Sequence, residues 1–250
     1  MDFIKLKIEN KIAVMTLSRG KVNALNEQLV AELNDSFRQL EENPEVKAVI
    51  LTGQGSFFSF GFDIPEFYDY SPEDFTRYLQ NFTRFYTYLF AFPKPVIAAI
   101  NGHAVAGGCM LATMADYRIM ASGKAKISLN EIAFGSTVFA GSVDILKFCV
   151  GAHSAELILE SGKMFSPDDA LGMGLLDEVV PENELLDRAN AVATEYAAKA
   201  SAAFTDIKAL LRREIVSGYI AREPDAIARF VDIWYSPAVR ANLKKIEIRS

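Results

Sequence analysis

Two glycine-containing stretches hold the backbone groups in this sequence that are best placed to do chemistry. Residues 101–108, Asn-Gly-His-Ala-Val-Ala-Gly-Gly, join an apolar strand pattern to an apolar helix pattern. Residues 55–64 hold Gly61 among four phenylalanines. A turn between a strand and a helix can direct backbone N–H groups at a ligand, and two such groups stabilise an enolate or oxyanion. The competing interpretations are a tight turn that uses glycine only for lack of a Cβ atom, and a core loop under a lid.

Glu131 is the acidic residue whose surroundings suit catalysis. It stands between apolar residues in Leu129-Asn-Glu-Ile-Ala-Phe-Gly135. A carboxyl group in an apolar pocket has a raised pKa, and such a group can remove a proton next to a carbonyl. The alternative is an exposed loop acid, which is the usual environment of a glutamate. Spacing alone does not decide between these two interpretations.

The other reactive residue types lack the spacing that their chemistry requires. The two histidines and two cysteines, His103, His153, Cys109 and Cys149, match no metal-ligand pattern, so we expect no metal site. Neither a P-loop nor a Gly-x-Ser-x-Gly nucleophile motif occurs in the sequence. We expect His153 to be structural and His103 to lie in a turn or pocket wall, with a catalytic role for His103 left open.

Composition limits the function classes further. The 250-residue chain is half apolar and carries a net charge of −6, from 32 acidic and 26 basic residues. This balance argues against binding to nucleic acid or to a membrane surface. No apolar run approaches the ~18 residues of a membrane span. The two cysteines in apolar surroundings are typical of a reduced protein, and we expect a cytoplasmic location.

Hydrophobic periodicity predicts the elements that must position these groups. Alternating or short apolar runs predict strands at 3–8, 12–17, 48–52, 96–100 and 116–120, with a turn and strand within 172–181. Helical spacing predicts helices at 29–40, 72–90, 142–150, 154–159, 185–200, 202–216 and 224–234, followed by a short basic tail. Strands separated by helices indicate an α/β fold, and the loss of strand patterns after residue 182 indicates a helical C-terminal part.

Several motifs, in this order, resemble those of the crotonase, or enoyl-CoA hydratase/isomerase, superfamily. Phe58-Ser-Phe-Gly-Phe-Asp-Ile64 is similar to the family loop Phe-Ser/Cys-Ala-Gly-x-Asp-Leu/Ile. Residues 100–112 are similar to its Asn-Gly-x-Ala-x-Gly-Gly-Gly block, and residues 21–26 to its coenzyme A-binding loop. Further along the chain, the family motifs also align, in the same order, with residues 116–118, 129–131 and 170–181. The resemblance covers about residues 1–181.

The resemblance implies a fold, an assembly and a substrate. The fold would be a crotonase-like spiral of ββα units over residues 1–190, with a helical trimerisation region over 191–250 that forms homotrimers or hexamers. The substrate would be an acyl-CoA thioester, with no cofactor beyond the coenzyme A of the substrate. The catalytic groups would be Glu131 and the N–H groups of Phe62 and Gly107. The substrate-binding residues that it implies are Lys21 and Ala24 near the adenine, and Phe60, Asp63, Ile64 and Met110.

At Met110 the sequence departs from the family's hydratase pattern, and this difference bears on the reaction. The hydratases of the family use two glutamates to hold and activate water, and the first of these aligns with Met110. A single glutamate in Leu-Asn-Glu131 resembles the Δ3-Δ2-enoyl-CoA isomerases, in which one base moves a proton from C2 to C4. The alternatives are a weak hydratase or other crotonase-type enzyme, with Asp63 or His103 recruited, and a non-catalytic acyl-CoA-binding protein. Phe62 also stands where the family often has a small residue.

Overall fold

Two sheets organise the computed structural model, which describes residues 1–246. The larger sheet has six strands in the order β1-β2-β3-β5-β7-β9, and the smaller one has the order β4-β6-β8. All neighbouring strands pair in parallel except the β1–β2 hairpin. The strands are β1 (Ile4–Glu9), β2 (Ile12–Leu17), β3 (Ala48–Gly53), β4 (Phe57–Ser59), β5 (Val96–Ile100), β6 (His103–Val105), β7 (Tyr117–Ala121), β8 (Ile127–Ser128) and β9 (Glu178–Val180).

From β3 onward the chain alternates between the two sheets. β3, β5 and β7 enter the larger sheet, and each is followed directly by a short strand of the smaller sheet. One or more helices then return the chain to the next strand. The helices are α1 (Glu27–Glu42), α2 (Ile64–Tyr68), α3 (Pro72–Phe90), α4 (Gly107–Thr113), α5 (Ala140–Ser161), α6 (Pro167–Gly172), α7 (Leu185–Ala197), α8 (Ser201–Ile220), α9 (Glu223–Trp234) and α10 (Pro237–Leu243). This repeat is the predicted spiral of ββα units, with helices at the C-terminal end.

Local sequence explains where the long helices begin and which face they bury. The side chain of Asn26 accepts a hydrogen bond from Leu29 N and caps α1, and Ser71 caps α3 in the same way. The buried positions of α1 and α3 recur at helical spacing and form one apolar stripe on each helix. On α3 this stripe is mostly aromatic, so the core beside it is built from rings.

The short elements β4, β8, α2 and α6 were not predicted from periodicity, and three further elements differ from the prediction. β6 is only three residues long, which is too short for a pattern, and it forms because its backbone pairs with β4 and β8. The expected basic tail contains α10, whose Val239 and Leu243 are buried. Residues 247–250 of that tail lie outside the described part of the chain. The two helices expected at 142–159 form one element that is interrupted at Gly151, where φ is +77°.

The C-terminal helices pack in different places. Ala189 and Val192 of α7 pack against the larger sheet at Ile97 and Ala99. The implied trimerisation region over 191–250 predicts that the helices at 202–216 and 224–234 bury apolar faces between subunits, but in α9 this face is already buried within the chain. The reason is that α9 lies over the aromatic stripe of α3, which needs a cover. The division of the chain near residue 190 stays a prediction. No helix within residues 1–246 is long and apolar enough to cross a membrane.

Candidate active site

An apolar cavity of about 160 Å³ lies where the two predicted loops meet α9. Its walls come from the loop after β4, the β6–α4 turn, the segment after β8, the helix α9 and the residue Ile246 after α10. Almost all of the lining side chains are apolar, so the cavity suits a hydrocarbon group. The lining residues are Phe60, Phe62, Ile64, Val105, Ala106, Gly107, Asn130, Glu131, Phe134, Phe230, Trp234 and Ile246.

Glu131 supplies the one carboxyl group among the described residues that line this cavity. It opens a short 3₁₀ helix, Glu131–Phe134, directly after β8, and its carbonyl accepts a hydrogen bond from Ser136 N at 3.0 Å. The side chain is buried, and its Oε2 has no hydrogen-bond partner within residues 1–246. Burial raises the pKa of Glu131 from 4.5 to about 8. The structure thus contradicts the exposed-acid alternative and leaves a carboxyl group suited to proton transfer.

The N–H of Phe62 is free for a ligand because of how its neighbours pair. Leu25 forms an isolated parallel bridge with Phe62, donating to Gly61 O at 2.7 Å and accepting from Asp63 N at 3.2 Å. This pairing uses the residues on either side of Phe62, so the N–H of Phe62 itself points away from the bridge. It has no acceptor in the part of the chain that the structure describes.

Gly107 provides a second free N–H. It is the first residue of α4, and the first N–H groups of a helix have no acceptor within the helix. Ala106, the residue before it, has a φ of +48°, a left-handed conformation that an alanine rarely adopts. Ala106 is held there by its hydrogen bonds, since its N–H donates to Ser128 O at 2.9 Å and its carbonyl accepts from Met110 N at 2.9 Å. Strain that is held by neighbouring structure is a recurrent feature of functional sites.

The two loops lie in direct contact at two glycines. A Cβ atom on Gly61, whose φ is +95°, would lie 2.9 Å from Gly107 N. A Cβ atom on Gly108 would lie only 2.2 Å from Ser59 O. Glycine at these positions therefore lets the backbone after β4 approach the start of α4. The ring of Phe62 also lies against Gly107, with Cδ1 at 3.2 Å from the position of a Cβ atom there. These contacts bring the free N–H groups of both loops to the same cavity.

Three predicted residues have partners of their own away from the cavity. Asp63 pairs with Arg19 at 2.6 Å and caps α2 by accepting from Glu66 N. The Nδ1 of His103 accepts a hydrogen bond from Lys126 N at 3.1 Å, and neither Asp63 nor His103 is among the described residues that line the cavity. Met110 is not among those lining residues either; it is buried in α4, and its sulfur accepts a hydrogen bond from Ser142 Oγ at 3.4 Å.

The loop predicted to bind coenzyme A, residues 21–26, runs along the loop that follows β4 and lines the cavity. Phe60 N donates to Val22 O at 2.9 Å, which ties the segment 21–26 to the segment after β4. Lys21 is exposed at the start of this loop, and Ala24 is buried with its carbonyl accepting from Arg19 Nη1 at 3.0 Å. Of the predicted substrate-binding residues, Phe60 and Ile64 line the cavity itself. The binding roles of Lys21, Ala24, Asp63 and Met110 stay predictions.

The contribution of α9 to the cavity wall was not predicted from the sequence. Phe230 and Trp234 are almost fully buried and line the cavity more than 90 residues after Glu131 in the chain. The spacing of the buried residues Ile227, Phe230, Val231 and Trp234 does signal an apolar face. Periodicity does not tell which surface such a face covers, so the wall could not be assigned from sequence.

Similar proteins agree with this architecture. The enoyl-CoA hydratase/isomerase family matches residues 7–227. The mitochondrial enoyl-CoA delta isomerase 1 of Mus musculus is 32% identical over 93% of this chain and 81% of its own length. The short-chain-enoyl-CoA hydratase of Clostridium acetobutylicum is 34% identical over 85% of this chain and 82% of its own. The crystal structure of human mitochondrial delta3-delta2-enoyl-CoA isomerase superposes with a TM-score of 0.93 at 28% identity, covering 97% of this chain and 95% of that one. The chain therefore belongs to the enoyl-CoA hydratase/isomerase family.

Proposed function

We propose that this protein is a Δ3-Δ2-enoyl-CoA isomerase. The observation that carries the proposal is Glu131, a buried carboxyl group whose Oε2 has no hydrogen-bond partner within residues 1–246. The other described side chains that line its cavity offer no second acid or base. A single acid–base group suffices for moving a double bond, because the proton that leaves one carbon returns to another. Similarity to enoyl-CoA isomerases supports this choice, although enoyl-CoA hydratases are similar at comparable identity.

The proposed reaction uses three groups of the chain. The thioester carbonyl oxygen of a 3-enoyl-CoA accepts hydrogen bonds from the N–H groups of Phe62 and Gly107. Glu131, as a carboxylate, removes a proton from C2, and the electron pair of that C–H bond forms a dienolate whose charge the two N–H groups stabilise. The protonated Glu131 then delivers the proton to C4, which moves the double bond from C3–C4 to C2–C3. No electrons are exchanged with another molecule, so we propose that no cofactor beyond the substrate's coenzyme A is used.

The coenzyme A part of the substrate would lie along the loop after β1 and β2 and the loop after β4. The pantetheine and adenine would follow the loop 21–26, with Lys21 and Ala24 nearest the adenine. Phe60, Asp63 and Ile64 would line the coenzyme A side of the cavity, Asp63 acting through its ion pair with Arg19 rather than as a base. Met110, which is buried in α4 one turn after Ala106, would contribute no polar group to the site.

Met110 gives the test that separates isomerase from hydratase. Hydration of a 2-enoyl-CoA requires a bound water, and a thioether cannot orient or deprotonate one. We expect the native protein to convert 3-enoyl-CoA to the conjugated thioester at least ~10²-fold faster than it forms 3-hydroxyacyl-CoA, which is the range that one positioned acid–base group contributes. Met110→Glu should raise hydration and lower stability, because it buries a second carboxyl group. Met110→Leu, which keeps the site apolar, should leave the product ratio unchanged.

Both products are measured separately, the conjugated thioester by its ultraviolet absorbance and the 3-hydroxyacyl-CoA by chromatography. Efficient hydration by the native protein would contradict the isomerase proposal and favour the hydratase. Binding of enoyl-CoA without turnover of either substrate would favour a non-catalytic acyl-CoA-binding protein.

We also propose that the protein forms homotrimers or hexamers through α8. This helix has an unusual distribution of side chains, since Lys208 and Arg212 are buried and bind Asp116 at 2.7 and 2.8 Å. Its apolar residues Ile207, Leu210 and Leu211 are each more than half exposed. An apolar helix face on the surface indicates a protein interface. We expect sedimentation at micromolar concentration to show an oligomer, which Leu210→Lys should weaken; a native monomer would contradict this. The cytoplasmic location stays part of the proposal.

A further inference from the structure

We infer that the side chains of Phe62 and Phe230 close the cavity and limit the acyl group of the substrate to about six carbons. This inference rests on the proposed function, because it takes the cavity as the acyl site. It concerns which thioesters the protein accepts, which neither the family nor the similar proteins decide.

Phe62 forms the wall behind the two N–H groups. Its ring lies against Gly107 on one side. On the other side it meets Phe82 and Tyr78 edge-on, with ring centroids at 4.8 and 5.2 Å. A ring held between backbone and two other rings cannot rotate away without opening a void or creating an overlap. Phe62 therefore acts as a fixed stop close to the carbonyl position.

Phe230 forms the wall contributed by α9. Its ring stacks on Phe139 with a centroid distance of 4.8 Å and an interplanar angle of 10°, and it lies 6.4 Å from the ring of Phe62. Trp234, one turn later on α9, lies against Phe75 at 4.6 Å. All of these side chains are buried. The side of the cavity formed by α9 is therefore a layer of packed rings, and an acyl chain could extend into it only by displacing a ring.

The volume of the cavity sets the expected chain length. The cavity measures about 160 Å³. An engineered apolar cavity of about 150 Å³ in another protein holds one benzene molecule, which has six carbons. A chain longer than about six carbons would have to displace Phe62 or Phe230 from their packed positions, and overpacking a core is destabilising. Short-chain 3-enoyl-CoA thioesters are therefore the substrate class that fits.

Binding of saturated acyl-CoA esters tests this inference without any turnover. Titration calorimetry with acetyl-, butyryl-, hexanoyl-, octanoyl- and decanoyl-CoA gives one dissociation constant for each length. Burial of each methylene group should tighten binding about fourfold up to hexanoyl-CoA. We expect no further gain, or a loss, for octanoyl- and decanoyl-CoA. A steady gain through decanoyl-CoA would overturn the inference.

Two variants and one control locate the stop. We call the chain length after which binding no longer tightens the break. Phe62→Leu and Phe230→Leu each shorten a wall residue and keep its backbone N–H, so each should move the break from six carbons to eight or more. Phe75→Leu removes the same volume from the same aromatic cluster, but Phe75 is not among the described residues that line the cavity. It should lower stability and leave the break at hexanoyl-CoA. If Phe75→Leu moves the break as far as Phe62→Leu and Phe230→Leu do, the assignment to these two residues is wrong.

The two proposals can fail separately. A break at hexanoyl-CoA in a protein that isomerises no enoyl-CoA would leave the size limit in place and contradict the isomerase. Active isomerisation of ten-carbon 3-enoyl-CoA substrates would support the isomerase and contradict the size limit. Thermal unfolding of each variant shows whether it is folded. If a variant is unfolded, the binding series of the native protein alone decides the size limit.

Discussion

Glu131→Gln should lower kcat/KM for isomerisation by about 10²–10⁴-fold, the contribution of a positioned acid–base group. Glutamine keeps the shape of the side chain but cannot accept and return the proton. The substituted residue remains in a cavity that is otherwise intact, so the dissociation constant for butyryl-CoA should change by less than about threefold. Steady-state kinetics with 3-enoyl-CoA and calorimetry with butyryl-CoA measure the two effects. Glu156→Gln changes an exposed glutamate on α5 and serves as the control, with activity expected to stay native.

The pH dependence gives an independent signature of the same residue. Burial raises the pKa of Glu131 to about 8, and the base is its ionised form. The kcat/KM of the native protein should therefore rise with pH and level off above about pH 8. Stability should change in the opposite direction. Because the folded-state pKa lies above the unfolded value of 4.5, the folded state holds the proton more tightly, and its stability falls as pH rises from 4.5 to about 8. Glu131→Gln should remove this fall.

Native turnover in Glu131→Gln would contradict the proposed mechanism. The catalytic role would then have to come from another group, and Asp63 and His103 would be the next to test. The structure makes both poor substitutes, because Asp63 is paired with Arg19 and His103 Nδ1 is occupied by Lys126 N. A rate that does not vary with pH between 6 and 9 would equally argue against a buried carboxyl base.

Gly108→Ala should reduce kcat/KM by at least about 10²-fold, the effect of losing one oxyanion donor. The new Cβ atom would lie 2.2 Å from Ser59 O, an overlap between backbone segments. Ser59 cannot retreat easily, since its Oγ donates to Asn23 O at 2.8 Å and accepts from Gly61 N at 3.1 Å. The loop carrying Phe62 would have to move away from α4, which separates the two N–H groups.

The same variant should lose stability by about 1–3 kcal/mol, as expected for overpacking. Urea unfolding measures this loss, and kinetics are recorded where the variant is fully folded. Gly172→Ala is the matched control, because it adds the same atom at a glycine of α6 with nothing within 4 Å. The control should keep native activity. Full activity in Gly108→Ala would show that the close approach of the two loops is not needed for the reaction.

The sequence predicted most of the local structure because local structure depends on short-range patterns. The hairpin of β1 and β2 and the helices α1 and α3 follow from periods of two or 3.6 residues, and the buried strand β5 follows from a short apolar run. The order of the motifs from Phe58 to residue 181 indicated the family. The choice of Glu131 as the proposed base followed from the same motifs, because Glu131 is kept where Met110 stands in place of a second acid.

Tertiary structure decided which of these groups share one site and what each can do there. The burial of Glu131, and hence its raised pKa, depends on walls from α9 that lie far along the chain. The free N–H of Phe62 depends on Leu25 pairing with the residues on either side of it. Asp63, which resembled a substrate-binding residue, acquired Arg19 as a partner. Side-chain periodicity reports that a face will be buried, but its partner is chosen by the packing of segments distant in sequence, and that packing sets the size and the electrostatics of the site.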